Sequence, residues 1–498
     1  MIKISFCFAV FILISEGKMN KSNRNFFIKF IIMVALYLVI SNLPIAEGSS
    51  LTPLGLTNLA ILVACVWGWC TMDGIIVSIL GMVVYGLTCG GGIAPAFMGG
   101  IGSYIIQMIL PLMMICGIMA HTGFTRVLAQ KLINSKFATG KPWILLSLMM
   151  AVAALLSLVL PGMAVVLVVW DIAYGVFDSC GYEKGEDLPK HMMLGICSAA
   201  TFGMMCSHIS TGVLPMVGIL QGINPNLVWK PIPFTLTSIA QLIVFLILNV
   251  LLIRFFFKPD VTKLYGYKPP EEKVTFNSDQ KIAGVLLVAF ILLVSVPAFM
   301  PMGPVRGWLE SVGLIGFGFL IVAVALILRH KDGSNFITFK EITDSSLSWD
   351  FVIMLAAIQT ICGNMSAEQY GISDWMVGLF RPLFGGMSPF AAVCFMVVLA
   401  LVVTNLLDSA ITSIVFIVLT MTVAQAVGIN EMGLQLTVLK AASYGMLLPG
   451  CSPLLTLLYG KIPDGYIDQK TILKSALPQI IVAFVVFAIG GYLTIDMI

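Results

Sequence analysis

Polar side chains interrupt one long apolar stretch of the sequence, at about residues 388–427, where they could bind ions. Thr404, Asn405, Asp408 and Ser409 lie in its middle. Hydroxyl and amide groups can donate hydrogen bonds to an anion, and their oxygen atoms can coordinate a small cation. If the stretch lies in a membrane, the Asp408 carboxylate costs at least about 2.5 to 3.5 kcal/mol there, so a bound cation or a proton must compensate it. The pattern predicts an ion or substrate site.

Three further apolar stretches are interrupted in the same way, at residues 157–162, 206–215 and 448–455. Irregular backbone at membrane depth is tolerated only where it is buried in protein or lines a watery cavity. Helix N-termini at such breaks present N–H groups to an anion, and helix C-termini present carbonyl oxygens to a cation. The polar residues near these breaks are Ser157, Ser210, Thr211, Cys451 and Ser452.

The composition places these breaks in a membrane. Hydrophobic residues make up 59% of the 498 residues and charged residues only 10%, whereas soluble domains carry about 25% charged residues. A packed water-soluble fold is therefore excluded, and the expected fold class is an all-α polytopic membrane protein. Eleven apolar stretches of about 20 residues or more predict spanning helices. They are residues 26–46, 54–72, 74–92, 101–120, 190–220, 232–257, 281–300, 311–328, 349–367, 438–459 and 473–495.

Two more apolar regions, 142–178 and 388–427, are broken in the middle. Each arm is then only about 14 to 17 residues long, which is marginal for crossing about 30 Å of hydrocarbon at a rise of 1.5 Å per residue. We expect both regions to be re-entrant helical hairpins. The stretches 190–220 and 438–459 are expected to be broken helices, because they contain the other two interruptions.

The positions of Lys and Arg predict the orientation in the membrane, because positive residues in short loops stay cytoplasmic. With the N-terminus inside and each hairpin returning to the side it left, all but four of the 27 Lys and Arg residues fall inside. The C-terminus is then outside. The four residues assigned to the outside are Lys230, Arg306, Arg381 and Lys440. We expect a multi-pass protein of the cell membrane.

The chain is expected to divide into two halves. Residues 1–25 form a cytoplasmic N-terminal segment, whose first 15 residues we interpret as a dispensable extension, or as preceding a true start near Met19, rather than an extra span. The first half covers residues 26–257 and the second 281–498. The Pro-rich, charged segment 258–280 is the cytoplasmic linker between them.

The two halves resemble each other in sequence. The charge map lets the first hairpin enter from the inside and the second from the outside, so the repeats have inverted topology, which is a signature of secondary carriers. Both hairpin tips and both breaks should then meet near the membrane midplane. The matching segments are 121–124 with 369–372, 142–162 with 389–409, and 199–211 with 441–453, at offsets of 248, 247 and 242 residues.

The motifs of the second half resemble those of a known carrier family. Thr404-Asn405 stand where that family has Ser-Asn at a hairpin tip, and Ser452-Pro453 stand at the Thr-Pro position of its second broken helix. The segment LTPLGLTNLAILVACVWGW, residues 51–69, is similar to an early scaffold helix. On these motifs, residues 50–495 resemble the divalent anion/sodium symporter family of the ion transporter superfamily.

The first half resembles this family less closely. Ser157 matches the tip motif, but Leu158-Val159 replace its Asn-Thr. Ser210 and Thr211 are the polar equivalents of the broken-helix loop.

The resemblance implies a homodimer whose transport domains move as elevators against a fixed scaffold. It implies a carboxylate or oxyanion between the two tips and sodium ions between each tip and its broken helix, with no organic cofactor. The substrate-binding residues are then Ser157, Ser210, Thr211, Thr404, Asn405 and Ser452. The expected sodium ligands are Ser157, Asn405, Asp408, Ser409 and the backbone at Cys451. Asp408 and Ser409 are included because they are polar residues of the second hairpin tip.

Other classes of function lack their sequence features. There is no HExxH or GxSxG motif, and the four His residues are well separated, which excludes the common hydrolases. The absence of GxxxxGK[ST] argues against a nucleotide-driven pump. A net charge of +3 without a basic stripe gives no sign of nucleic acid as a partner.

The sequence therefore predicts a secondary active carrier that imports a di- or tricarboxylate, or a similar oxyanion, with sodium. An alternative within transport is a proton-coupled carrier or sodium/proton antiporter that uses Asp408 and His208, although a structural hydrogen bond suits His208 better. A separate class is an anion channel or a transport-inactive regulatory membrane protein.

Overall fold

The computed structural model describes residues 21–498 except 135–137, 211, 224–226, 268–274, 302, 348, 364–366, 373, 376–377, 379–381, 383, 385, 407–408, 449–450 and 464. Two predicted site residues, Thr211 and Asp408, lie outside the described residues, as do residues 1–20. Within the described part the chain is all-helical, as predicted, and its β contact is one isolated bridge between Arg329 and Asn335.

The first half of the chain forms a series of helices that runs up to the linker. One π-helical turn, Ile253–Phe257, extends the last of these helices, and a 3-10 turn, Thr262–Gly266, follows in the linker. The helices are α1 (Lys21–Ser41), α2 (Pro53–Thr71), α3 (Gly74–Thr88), α4 (Ile93–Ile101), α5 (Tyr104–His121), α6 (Phe124–Ile133), α7 (Pro142–Ser157), α8 (Gly162–Ser179), α9 (Asp187–Met204), α10 (Leu214–Ile223) and α11 (Pro231–Leu252).

The second half of the described chain, from the linker onward, is also a series of helices. Two 3-10 turns, Val296–Phe299 and Glu368–Tyr370, lie between its helices. The helices are α12 (Ser278–Ser295), α13 (Pro304–Ile327), α14 (Phe339–Ser346), α15 (Trp349–Cys362), α16 (Pro389–Leu406), α17 (Ser409–Val427), α18 (Glu431–Ala442), α19 (Pro453–Tyr459) and α20 (Gln469–Thr494).

By length and composition, six of the described helices can cross a membrane, or seven if α4 and α5, bent by 44°, form one span. Most of the other predicted spans correspond to shorter helices. The predicted boundary at residue 73 is present: Asp73 caps α3 by accepting hydrogen bonds from the backbone N–H groups of Ile75 and Ile76 at 2.9 and 3.2 Å, which separates α3 from α2. The membrane-protein class is thus supported, whereas the count of 11 spans stays a prediction.

The two predicted hairpins are pairs of packed helices. Helices α7 and α8 have 16 and 18 residues, and α16 and α17 have 18 and 19. Most of these arms are longer than the predicted 14 to 17 residues. A helix of 18 residues is about 27 Å long, which approaches the hydrocarbon thickness, so the re-entrant character of the hairpins stays a prediction.

The two broken helices begin earlier than the apolar runs indicated. Helix α9 starts at Asp187 rather than at residue 190, and α18 starts at Glu431 rather than at 438. Asn430 caps α18 by accepting a hydrogen bond from the Gly433 N–H at 2.8 Å, a polar start signal that the hydrophobic pattern alone does not show.

In each half, both hairpin arms pack against the first arm of the broken helix: α7 and α8 against α9, and α16 and α17 against α18. The first of these contacts is very close. A Cβ atom on Gly203 of α9 would lie 2.3 Å from the carbonyl oxygen of Ala154 in α7, so only glycine fits there. The Phe202 ring stacks between Phe245 and Phe487, at centroid distances of 4.3 and 4.9 Å, and joins α9 to α11 and α20.

An ion pair at the start of α20 ties it to α9. Lys190 Nζ lies 2.8 Å from Asp468 Oδ2, and Asp468 also caps α20 through the Thr471 N–H at 2.8 Å. Partial burial alone would raise the pKa of Asp468, but the hydrogen bonds from Lys190 and Thr471 outweigh it and lower the pKa from 3.8 to about 2.

We expect this carboxylate to make stability depend on pH in the acid range. Because the folded pKa lies below the unfolded one, its contribution is complete above about pH 5 and is lost as the pH falls toward 2. The Asp468 side chain is 46% exposed, so solvent screening limits the ion pair to less than about 1 kcal/mol. Asp468→Asn should weaken this acid dependence of the melting temperature in detergent.

The matched variant Asp468→Ala also removes the cap and should cost about 0.5 to 2 kcal/mol more. An acid-range melting curve that Asp468→Asn leaves unchanged would show that this ion pair contributes nothing to stability.

Candidate functional site

Asn405 joins the tip of the second hairpin to the break between α18 and α19. Its Nδ2 group donates hydrogen bonds to the carbonyl oxygens of Leu401, at 2.7 Å, and Tyr444, at 3.4 Å. Its Oδ1 atom accepts the backbone N–H of Met446 at 2.8 Å. One side chain, 4% exposed, thus fixes the hairpin tip against the irregular backbone of the break.

Ser409, Cys451 and Ser452 continue this contact on the other side of the tip. The Ser409 N–H, at the start of α17, donates to the carbonyl oxygen of Cys451 at 2.9 Å. Ser452 caps α19 by accepting the Leu455 N–H at 3.3 Å, and its hydroxyl donates to the carbonyl oxygen of Gly445 at 3.0 Å. The structure therefore brings four predicted site residues, Asn405, Ser409, Cys451 and Ser452, to one junction.

Each hairpin tip also carries a buried hydroxyl group that has no hydrogen-bond partner among the described residues. These groups are Thr404 Oγ1, in a side chain that is 0% exposed, and Ser157 Oγ, in a side chain that is 1% exposed. The two residues are 247 positions apart, which is the repeat offset of the hairpins. Burying a hydroxyl without a partner costs about 1 to 3 kcal/mol. Other buried side chains in the described part of the chain, among them Ser238, Gln435 and Gln479, also have unpartnered polar atoms, so Ser157 and Thr404 are candidate ligand positions because of their place at the two tips.

In the break between α9 and α10, Ser210 makes hydrogen bonds to the backbone of the break itself. The Ser210 hydroxyl donates to the carbonyl oxygen of Met204 and accepts the N–H groups of Gly212 and Val213, at 3.0 and 3.4 Å. Ser210 therefore stabilises the loop before α10. Among the described residues, no hydrogen bond joins Ser210 to Ser157, so the first half lacks the direct contact between tip and break that Asn405 makes in the second.

Polar contacts that the sequence did not predict connect the two halves. The Tyr444 hydroxyl lies 2.5 Å from Ser198 Oγ of α9, and Asn249 Nδ2 of α11 donates to the same Ser198 oxygen at 3.2 Å. Ser198 adjoins the matched segment 199–211 and Tyr444 lies within its counterpart 441–453, so the sequence repeat was the available signal that these segments are related. Helix α9, the first arm of the first broken helix, thus contacts the backbone segment of the second break.

Lys440 was assigned to the outer loops by the charge map, but it lies inside the protein. It belongs to the last turn of α18 and is 2% exposed. Its Nζ atom donates to Gln241 Oε1 at 2.9 Å and lies 4.9 Å from the centroid of the Phe234 ring. The sequence signal for this position was a charged residue within the second broken helix. Because that helix was predicted to start at residue 438 rather than at Glu431, Lys440 was assigned to its outer end.

His208 makes a local structural contact. Its Nδ1 atom lies 2.8 Å from Thr235 Oγ1, and the same hydroxyl accepts the His208 backbone N–H at 3.0 Å. This geometry fixes the break between α9 and α10 against α11. It accounts for the position of the imidazole without a role in proton coupling.

The described residues of the junction offer neutral oxygen atoms, and the carboxylate of the tip, Asp408, lies outside them. No group of three or more His, Cys, Asp or Glu side chains that could hold a metal occurs in the part of the chain that the structure describes. The oxygens present are the free Thr404 hydroxyl, Asn405 Oδ1 and the carbonyls of Tyr444, Gly445 and Cys451. Carbonyl and amide oxygens that already accept one hydrogen bond retain a second lone pair, so each of these atoms can still act as a ligand to a small hard cation.

Two solved structures share this fold. The YdaH transporter of Alcanivorax borkumensis superposes with a TM-score of 0.59 and 16% identity, covering 88% of this chain and 98% of that one. MtrF of Neisseria gonorrhoeae, described with a class of antimetabolite efflux pumps, gives a TM-score of 0.55 and 13% identity over 93% of this chain and 97% of the other. At these identities the likeness shows the fold alone.

Sequence comparisons identify the family. An uncharacterized transporter of Haemophilus influenzae is 22% identical over 379 residues, which are 73% of this chain and 76% of that protein. A family model described as citrate transporter matches residues 59–442. These relatives are transporters rather than enzymes, and the narrower divalent anion/sodium symporter assignment stays a prediction. Because the family model covers more than half of the sequence, the chain belongs to the citrate transporter family, within the ion transporter superfamily.

Proposed function

We propose that this protein is a secondary active carrier that imports citrate or a similar di- or tricarboxylate together with Na⁺. The substrate lies between the two hairpin tips, and the cation lies at the junction of the second tip with its broken helix. The observation that carries the proposal is a pair of buried hydroxyl groups, of Ser157 and Thr404, which occupy equivalent positions of the two sequence repeats and have no hydrogen-bond partner among the residues described.

The chemistry of these groups favours a carboxylate. A hydroxyl group donates one hydrogen bond and accepts up to two, so it can serve an anionic oxygen and a cation at the same time. Thr404 is adjacent to Asn405, which already fixes the surrounding carbonyls. A bound Na⁺ at those carbonyls would place positive charge beside the carboxylate, and the favourable interaction between the two ions would couple their binding.

The movement that we propose is an elevator motion. Helix α20 contacts α9, α11, α16 and α18, and so joins the first arms of both broken helices to the first arm of the second hairpin. A body joined in this way can move as a unit against the remaining helices of a homodimer in the cell membrane. The N-terminus is cytoplasmic and the C-terminus outside in this proposal, as the positive charges favour.

Uptake of labelled citrate into proteoliposomes tests the function. We expect accumulation when an inward Na⁺ gradient is imposed and no accumulation in protein-free liposomes. Accumulation driven by a pH gradient alone would replace Na⁺ coupling by the proton-coupled alternative. Rapid flux that ignores both gradients would indicate a channel, and no flux of any di- or tricarboxylate would contradict a role as a carrier of these substrates.

A further inference from the structure

We propose that Tyr444 is a positioning residue of the carrier, whose side chain holds the second break in the geometry that substrate binding needs. This inference rests on the proposed transport function and adds a residue that is not among the predicted site residues. Tyr444 acts through its own backbone and through Asn405. Its hydroxyl group is held by Ser198, which belongs to the other half of the chain.

The backbone from Tyr444 to Met446 is held from two sides. These residues belong to neither α18 nor α19, so no helix fixes their direction. On one side, the Tyr444 carbonyl oxygen accepts a hydrogen bond from Asn405 at 3.4 Å, and the Met446 N–H donates to the same amide at 2.8 Å. On the other side, the Tyr444 hydroxyl lies 2.5 Å from Ser198 Oγ, and Thr201 Oγ1 lies 3.9 Å from Met446 Sδ. The second break therefore lies between the hairpin tip and α9.

The Tyr444 ring is enclosed by aromatic side chains that restrict its direction. Its centroid lies 5.8 Å from that of Phe245 in α11 and 6.0 Å from that of Phe487 in α20, with interplanar angles of 81° and 77°. Edge-to-face pairs of this kind contribute about 0.5 to 1.5 kcal/mol each. The side chain is 1% exposed. Because the ring is enclosed and its hydroxyl is bonded, the side chain also fixes the backbone carbonyl that faces Asn405.

The sequence repeat supplies a comparison for the hydroxyl group. The offset of 242 residues pairs Tyr444 with Phe202, whose ring stacks on the same two residues, Phe245 and Phe487, at 4.3 and 4.9 Å. A phenylalanine ring is therefore sufficient for packing in this cluster. A buried hydroxyl costs free energy unless a hydrogen bond offsets it, so the contribution of the Tyr444 hydroxyl is its bond to Ser198. This hydroxyl occurs in the half whose tip and break are joined by Asn405.

These contacts predict how substrate binding depends on the hydroxyl. Its loss leaves the ring in place but removes the bond that holds the break to α9. Part of the binding free energy of the substrate is then used to order the break, so the half-saturating concentration rises. The maximal rate changes less, because the saturated carrier already has an ordered junction. One hydrogen bond corresponds to an increase of about three- to tenfold.

The Tyr444→Phe and Ser198→Ala variants test the proposal in proteoliposomes. Each should raise the half-saturating citrate concentration by about three- to tenfold and change the maximal rate by less than about twofold. The double variant should equal each single variant, because both substitutions remove the same bond.

Two control variants separate positioning from packing. Tyr370→Phe removes another hydroxyl from a side chain that is 1% exposed, which lies 3.1 Å from the Tyr85 hydroxyl. It should lower the melting temperature about as much as Tyr444→Phe and leave half-saturation unchanged. Asn249→Ala controls for Ser198→Ala, because it removes the bond from Asn249 to Ser198 and leaves the bond between Ser198 and Tyr444 in place.

A half-saturating citrate concentration in Tyr444→Phe equal to that of the wild type would overturn the proposal. Effects of the two single variants that multiply in the double variant would overturn it as well. If Tyr444→Phe does not reach the membrane, Ser198→Ala compared with Asn249→Ala decides the question, and equal half-saturation in these two would contradict the proposal.

A second measurement tests the position of the break without substrate. If the wild type carries no citrate, the proposed function fails, and hydrogen–deuterium exchange of the full chain in detergent tests Tyr444 separately. The Met446 N–H, which donates to Asn405, should exchange about threefold or more faster in Tyr444→Phe and at the wild-type rate in Tyr370→Phe. Unchanged exchange in Tyr444→Phe would show that its hydroxyl does not position the break.

Discussion

The Asn405→Ala variant should lose ion-dependent citrate uptake by at least about 100-fold, because it releases the second hairpin tip from the break between α18 and α19. The substitution removes the contacts of one amide with Leu401, Tyr444 and Met446. A displacement of about 1 Å at a binding site can reduce a rate by about 100-fold. The carbonyl oxygens that would face the cation depend on these contacts for their direction.

The control for this variant is Asn249→Ala. Asn249 is also buried, at 0% exposure, and its amide donates at 3.2 Å to Ser198, which is a residue of α9 and not of the hairpin tip. Both variants leave a buried partner without its hydrogen bond, so each should lower the free energy of unfolding by about 1 to 3 kcal/mol. Only Asn405→Ala should abolish uptake at matched amounts of protein in the membrane. Unchanged Na⁺ dependence in Asn405→Ala would remove this tip from the site.

The helix breaks were predictable because the residues that cause them are local. Pro161 and Gly162 follow one another in an apolar run, and proline cannot continue a helix. Helix α7 ends at Ser157 and α8 begins at Gly162. The polar residues of the second tip similarly separate α16 from α17. Each of these signals lies within a few residues of its effect.

The partners across the junction were not predictable, because they depend on how distant helices face one another. Lys440 and Gln241 are 199 residues apart, and Ser198 and Tyr444 are 246 apart. A helix that is apolar on every side has no hydrophobic stripe to show which face is buried. The sequence therefore predicted the polar residues of the two tips, but not that Asn405 joins Tyr444 or that Lys440 lies inside.

The Thr404→Val variant should separate ligand binding from folding, because the Thr404 hydroxyl has no hydrogen-bond partner in the part of the protein that the structure describes. Valine has nearly the shape of threonine and carries no polar atom. Removing an unpartnered buried hydroxyl should leave the free energy of unfolding unchanged or raise it by up to about 1 to 3 kcal/mol. If that hydroxyl binds the substrate or the cation, its loss should raise the half-saturating concentration of that ligand by about tenfold or more, since a hydrogen bond to a charged group contributes about 1.5 to 3 kcal/mol.

Two further variants serve as controls for Thr404→Val. Thr404→Ser keeps the hydroxyl and should retain uptake. Thr420→Val removes another buried hydroxyl, which donates to the carbonyl oxygen of Phe416 at 2.5 Å within α17 and therefore has a structural partner. It should lower the melting temperature and leave half-saturation unchanged. A Thr404→Val protein that melts at a lower temperature and transports normally would show that this hydroxyl stabilises the fold. Stability would then fall while ligand affinity stayed the same, as expected of a structural group.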